Sequence, residues 1–343
     1  MNDMPVRLAT VGTGYFSRFH YDAWKRLGVD LVGVCSLSLG EADAVAKDFS
    51  TPLTFTDFGE MLDRTNPDLV DIISPPPTHL DFIAATAERG IPIICQKPFT
   101  CTLEEAREAV KVAEEARVML AVHENFRFQP WYQEIKRLIE KGAIGEPYQI
   151  SFRLRPGDGQ GPEAYLNRQP YFQKMERFLI HETAIHLIDV FRFMFGTIIS
   201  VNAELSRLNP AIKGEDAGLI IFNFENGRRG LFDGNRLSDH AAENRRLTMG
   251  EMLVDGSDGV IRLDGDGRIT LRRFGENHAQ SVNCAWENQG FAGDSVFRLQ
   301  KHILDCLHGD GSVMNTGREY LANIRVEEAV YRSHAAGERI LLS

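Results

Sequence analysis

Cysteine is sparse and scattered. Cys35, Cys95, Cys101, Cys284 and Cys306 include no CxxC pair, so neither a disulfide framework nor a thiolate metal site organises the chain. No apolar run approaches the ~18 residues that a membrane span requires, and the opening MNDMPVRLATVG has neither the basic start nor the long apolar core of a secretion signal. The expectation is a cytoplasmic protein that does not engage membranes. Basic charge is also short: 38 Lys and Arg against 48 Asp and Glu leave a net charge of −10. Binding to a phosphate backbone depends on clustered cations that release counterions, so nucleic acid is not an expected partner. Low-complexity tracts and internal repeats are absent too, which excludes disordered and solenoid architectures.

What the chain does contain is ordinary globular material, 43% hydrophobic and 25% charged over 343 residues, enough for two domains. Short β-branched or apolar runs at Val6–Val11, Asp30–Cys35, Leu69–Ile73, Ile91–Cys95 and Val118–Val122 alternate with helical stretches. That rhythm predicts an α/β fold with a doubly wound parallel sheet over residues 1–124. The stretch from Leu103 to Ala116 illustrates the helices: Thr102 can cap it, Glu104 and Glu105 suit its positive start, and Ala106, Ala109, Val110 and Ala113 share a face. Beyond Asn125 the pattern changes to a helix at Pro130–Glu140, then extended segments from Tyr148 to about Arg273. One helix, Phe178–Phe195, interrupts them, and two more follow near Ser295–Leu307 and Tyr320–Ala335. Residues 125–343 therefore read as a second, α+β domain, whose C-terminal helix is free to pack back on the first. The loop Pro156–Pro162 holds three glycines and two prolines and is a candidate flap.

The first strand runs into Gly12-Thr13-Gly14-Tyr15-Phe16-Ser17 and then a helix, which is most of a dinucleotide-binding turn. Gly12 permits the tight turn, Gly14 lets backbone approach a pyrophosphate, and the helix start offers N–H donors and a favourable dipole. Ser17 replaces the third glycine and is small enough for close packing. About 20 residues beyond the glycines an acidic residue normally meets the adenine ribose. Cys35-Ser36 stands there instead, no Lys or Arg follows before Lys47, and Glu41 is nearer. NAD and NADP both stay open, with NAD favoured because a 2′-phosphate would find no cationic partner.

Two further groups point to chemistry. Lys97 follows the Ile91–Cys95 strand and Gln96, at the carboxyl edge where open α/β sheets bind ligands; by position alone, a solvated loop lysine fits equally. Glu182, His186 and Asp189 fall at helical spacing on an otherwise apolar segment, either as a hydrogen-bonded core histidine with carboxylate neighbours or as an acid–base group. A zinc reading of His181, Glu182 and His186 is disfavoured, because histidines at i and i+5 point apart on a helix. No metal is expected.

The GTGYFS turn, Ser74-Pro75-Pro76-Pro77-Thr78-His79, Gln96-Lys97-Pro98, Asn125-Phe126-Arg127-Phe128, Gly142-Ala143-Ile144-Gly145-Glu146-Pro147 and the segment from Glu182 through His186 to Asp189 occur in that order. Together they resemble the landmarks of the glucose-fructose oxidoreductase, inositol dehydrogenase and MocA family. The opening GTGYFSRFHYDAW and the helix ETAIHLIDVFRF are similar to its pentose branch, including apiose dehydrogenases. The resemblance implies a Rossmann domain, a C-terminal domain with a large, mostly antiparallel open sheet, and a homodimer or homotetramer. It implies an enzyme that oxidises a CH–OH group of a sugar or polyol, D-apiose or another aldose, by transfer to NAD(P). Lys97, His186 and Glu182 are then catalytic, with the final proton acceptor, Lys97 or His186, left open. Gly12, Gly14, Tyr15, Phe16, Ser36, Pro75, His79, Gln96, Lys97 and Asn125 would hold the cofactor. Lys97, Asn125, Tyr165, Asn167, Arg168 and His186 would contact the substrate. Alternatives are a member that uses NAD without net turnover, as epimerising or glycoside-cleaving enzymes do, and a non-catalytic ligand sensor. Three positions depart from the family pattern: Gln96, where Glu is usual, Glu182, where Asp is common, and Ser36, where NAD-preferring members often have Asp.

Overall fold

The computed structural model describes residues 5–49 and 53–342. Contacts group the chain into two units, Met1–Asn125 with Asp294–Ala322, and Phe126–Gly293 with Asn323–Ser343. A cut at 124/125 read from the sequence thus corresponds to Asn125/Phe126 here, and a later segment joins the first unit.

In the first unit a six-stranded parallel sheet is built from β1 (Arg7–Val11), β2 (Asp30–Cys35), β3 (Leu53–Phe55), β4 (Leu69–Ile72), β5 (Ile93–Gln96) and β6 (Leu120–His123). Its order is β3-β2-β1-β4-β5-β6, so the strand sequence reverses between β1 and β4, the crevice where such sheets take dinucleotides. Strands β4, β5 and β6 are buried at every residue, because helices cover both faces. Those helices are α1 (Ser17–Leu27), α2 (Leu39–Asp48), α3 (Phe58–Thr65), α4 (His79–Ala87) and α5 (Leu103–Glu115). Thr102 caps α5 by accepting from the Glu105 N–H at 3.1 Å, as its spacing predicts. After the second unit the chain returns with α8 (Ser295–Leu307), which packs on α1, where Arg26 forks onto Asp294 at 2.5 and 2.8 Å.

The second unit holds a nine-stranded sheet. Its strands are β7 (Pro147–Leu154), β8 (Ile198–Ser206), β9 (Ala217–Phe224), β10 (Arg229–Asn235), β11 (Gly250–Gly256), β12 (Gly259–Leu263), β13 (Ile269–Arg273), β14 (Gln280–Val282) and β15 (Ile340–Leu341), ordered β14-β13-β12-β11-β7-β10-β9-β8-β15. All pairings are antiparallel except β7 with β10. Alternation sets one face inward: Ile220, Phe222 and Phe224 of β9 are buried, with Phe222 and Phe224 against Phe191 and Phe195 of α7 (Ile185–Phe195). Helix α6 (Pro130–Glu140) precedes the sheet, and the division between units falls inside α9 (Gly317–Ala336). The opposite sheet face carries Leu219, Ile221 and Leu253, all exposed. Among the described residues no helix is long and apolar enough to cross a membrane.

Candidate functional site

At the end of β1 the chain turns through Gly12 at φ +116°, where a Cβ would lie 2.7 Å from the backbone of Ile73 and Ser74 beyond β4. Glycine is therefore required by the crossing of β1 and β4 strand ends. Gly14 differs: a Cβ there meets nothing within 4 Å, and Gly14 and Tyr15 are exposed. The protein leaves this turn open on the side where backbone N–H groups and the start of α1 can receive a pyrophosphate. Ser17 donates to the Gly14 carbonyl at 2.7 Å and so ties the turn to the helix. Phe16 packs on Phe19 beside it.

Ser36 follows β2 and lies 2.8 Å from the Thr13 hydroxyl. Both hydroxyls reach one carboxylate oxygen, Glu41 Oε2, at 2.9 Å from Thr13 and 3.1 Å from Ser36. Glu41 comes from the first turn of α2, not from the strand end, yet it brings negative charge to the place where the acidic ribose partner normally stands. These residues fit an NAD dinucleotide: an open glycine turn, a helix N-terminus and a carboxylate at the far end of the second strand.

Further along the carboxyl edge, Gln96 ends β5 and accepts the Lys97 N–H on Oε1 at 2.7 Å. Lys97 is half-buried and Pro75 is exposed. His79 occupies a different role from the one expected of a cofactor contact. It is fully buried, and its ring nitrogens face the carbonyls of Ser74 at 2.7 Å and Phe99 at 2.8 Å. Burial pushes its pKa down, so the ring pins the Ser74–Pro77 loop from below. Asn125 is buried and donates to Ser295 Oγ at 2.9 Å.

In the second unit the helix read as Phe178–Phe195 opens with a wide turn, Leu179–Ala184, bonded i to i+5, before α7 begins. Such turns often mark functional sites, and this one alters the spacing of Glu182 relative to His186. His186 is 5% exposed and stacks flat on Phe126, with ring centroids 3.8 Å apart. Asp189 belongs to Arg127, which forks onto it at 2.6 and 2.8 Å, and to Asn323 at 2.7 Å; it anchors the Phe126–Phe128 turn that carries the stacking ring. His181 Nδ1 lies 2.7 Å from Glu327.

Tyr165 and Arg168, expected to contact substrate, are engaged internally. Arg236 is 1% exposed, and its guanidinium donates to Tyr165 at 2.8 Å, Thr183 at 2.5 Å and Asp158 at 3.1 Å. Tyr165 donates in turn to Asp158 at 3.0 Å, and Arg168 reaches it at 3.2 Å. Glu182 Oε2 lies 3.5 Å from Arg236. Burial acts to raise the Asp158 pKa, but the Arg236 and Arg168 charges and these hydrogen bonds outweigh it and hold the carboxyl below its usual range. The Pro156–Pro162 loop is fastened at the same place: Asn209 Nδ2 donates to the Gly159 and Gly161 carbonyls at 2.7 and 2.8 Å. It is a supported wall and not a free flap. Asn167 remains exposed.

Comparison with known proteins adds to this geometry. Residues 6–124 match a family model described as an oxidoreductase family with an NAD-binding Rossmann fold, and residues 132–262 match one for the GFO/IDH/MocA C-terminal domain. A D-apiose dehydrogenase from Paraburkholderia graminis is 35% identical, the match covering 97% of this chain and 89% of the relative. One from Rhizobium rhizogenes is 30% identical over 99% and 98%. A solved oxidoreductase from Agrobacterium radiobacter, in complex with NAD+, L-tartaric acid and magnesium, superimposes with a TM-score of 0.90 at 28% identity, covering 98% of each chain.

Proposed function

Because the chain belongs to the GFO/IDH/MocA family of NAD-binding oxidoreductases, we propose that it oxidises a hydroxyl of an aldose, with D-apiose the first candidate. The observation that carries the substrate class is the match to two D-apiose dehydrogenases along nearly the whole chain. NAD, when bound, supplies the electron-pair acceptor for the carbinol hydrogen. The chain's own residues do the rest. Gly12, Gly14 and the α1 start hold the pyrophosphate; Tyr15, Phe16 and Pro75 border it; Ser36 and Glu41 take the adenine ribose; Asn125 serves the nicotinamide end, whereas the Gln96 amide, expected to join it, is engaged by His20 and the Lys97 N–H. The Lys97 ammonium donates to the reacting oxygen and stabilises negative charge developing there. His186 takes the hydroxyl proton, its ring held flat against Phe126. Glu182, held beside Arg236 and Thr183, orients the acid–base pair, and the exposed Asn167 meets substrate hydroxyls. The second unit assembles as a homodimer or homotetramer through its apolar sheet face.

The test is a screen of aldoses, polyols and inositols with NAD and NADP, following absorbance of the reduced nicotinamide. D-Apiose with NAD is expected to give the highest kcat/KM. Tightly bound cofactor without accumulation of NADH for any sugar would replace this reading with one of internal oxidation and re-reduction.

A further inference from the structure

Behind the edge of β5 in the first unit runs a buried chain of side chains that no role above requires. Asp71 of β4 and His20 of α1 are both fully buried, with His20 Nδ1 2.8 Å from Asp71 Oδ2. Trp24 Nε1 donates to that same oxygen at 2.7 Å. On the other side of the ring, His20 Nε2 lies 2.8 Å from Gln96 Nε2, and Gln96 Oε1 accepts the Lys97 N–H at 2.7 Å.

Every bond direction in this chain is forced. A backbone N–H can only donate, so it fixes Gln96 Oε1 as the acceptor and turns the amide NH2 toward His20. The NH2 can only donate, so His20 Nε2 must accept and the ring N–H sits on Nδ1, facing Asp71. A carboxylate at 96 does not give this pattern without an added proton. A glutamate carboxylate would set its oxygen lone pair against that of His20 Nε2. One added proton would restore it, either on the acid, whose O–H donates to His20, or on His20, whose imidazolium donates to both carboxylates while the second oxygen still accepts from Lys97. The other titratable groups packed around the chain are His123, Tyr21 and Cys95. The His123 ring lies 4.0 Å from that of His20 and is pushed far down by burial. Tyr21 and Cys95 are pushed up by burial. All three are therefore neutral near pH 7.

We propose that Gln96 is a positioning residue for Lys97: its amide transmits the fixed orientation of the Asp71–His20 pair to the lysine backbone, and it does so because it is neutral. This rests on the reading of Lys97 as the group that contacts substrate, and Lys97→Ala tests that reading separately.

The experiment compares wild type, Gln96→Glu and Gln96→Met by kcat and KM across pH, by NADH titration and by Tm. Gln96→Glu is expected to lose about tenfold or more in kcat near pH 8, with NADH affinity kept within about threefold. Because the competent form carries one added proton, on the acid or on His20, the ratio of variant to wild-type kcat must rise as pH falls and shrink as pH rises. Gln96→Met lacks both hydrogen bonds and is expected to show a similar loss with no pH recovery; it carries the test alone if Gln96→Glu does not fold. Wild-type kcat in Gln96→Met, or a Gln96→Glu deficit that is absent or constant with pH, overturns the proposal. Wild-type kcat in Lys97→Ala removes the lysine reading instead, and is distinguishable from either result.

Discussion

Removing the Glu41 carboxylate is the sharpest perturbation of cofactor choice. Its Oε2 already gathers the Thr13 and Ser36 hydroxyls at 2.9 and 3.1 Å, so the oxygen is preorganised and a second oxygen is left for ribose hydroxyls. A hydrogen bond to a charged acceptor contributes roughly 1.5–3 kcal/mol when sheltered. Glu41 is exposed, so the low end applies, and about 2 kcal/mol corresponds to roughly a 30-fold weaker NADH Kd in Glu41→Ala. NADPH behaves oppositely. A 2′-phosphate of charge near −2 placed ~5 Å from the carboxylate in water is opposed by on the order of 1–2 kcal/mol, and the substitution removes that opposition. The NADH-over-NADPH preference is thus expected to fall by about two orders of magnitude or more, with Glu41→Gln intermediate because it keeps an acceptor and loses the charge. Fluorescence titration of both reduced cofactors at fixed ionic strength reads the ratio directly. An unchanged ratio in Glu41→Ala refutes the assignment of ribose recognition to the α2 turn.

Lys97→Ala and His186→Ala are each expected to lower kcat by about 10²–10⁴ while NADH still binds, the outcome that the proposed roles of the two residues require; stopped-flow turnover and NADH titration separate the two effects. Arg236→Met leaves Asp158 without its main partner inside the wall it supports, at a cost of roughly 3–5 kcal/mol in urea unfolding. The Asp158 pKa is lowered in the folded state, so its contribution is complete above the ordinary carboxylate value of about 3.9 and is lost as pH falls through the lower folded value. The variant should lose that part of the wild type's acid sensitivity below pH ~4. On the exposed sheet face, Leu219 and Ile221 of β9 are 50% and 45% accessible, and Ile221 stands opposite Leu231. Ile221→Lys is expected to dissociate the proposed homo-oligomer in sedimentation or light scattering, whereas an unchanged mass would refute an interface on this face.

Elements with a strong local pattern were legible in the sequence. Asp30–Cys35, Pro130–Glu140 and Ser295–Leu307 form as read, because continuous β-branched burial or a 3.6-residue stripe leaves little choice. Leu53–Phe55 and Ile340–Leu341 are too short to show a period, and only their sheet neighbours make them strands. The wide turn at Leu179–Ala184 has no composition signal that distinguishes it from α-helix. Glu41 was visible as the nearest charge after Ser36, but its hydrogen bonds to the Thr13 and Ser36 hydroxyls were not, because the carboxylate arrives from a helix and not from the strand end. The commitments of Tyr165, Arg168 and His79 were illegible for a different reason. Their partners Arg236, Asp158 and Phe99 are separated from them by loops or whole elements, and a polar residue in a loop reads the same whether it faces a ligand or a buried guanidinium. The different tasks of Gly12 and Gly14 followed from the turn pattern, and the structure adds the cause, one closed against Ser74 and the other open.

The central claim is that this chain removes the hydrogen from a sugar carbinol carbon and passes it to NAD. The most direct measurement uses the best aldose from the screen, deuterated at the reacting carbon, with NAD in ordinary water. The account predicts stoichiometric NADH carrying the deuterium by mass spectrometry, and loss of both product and label in Lys97→Ala. Oxidised sugar with unlabelled NADH, or no label transfer under conditions where NADH demonstrably binds, would contradict it.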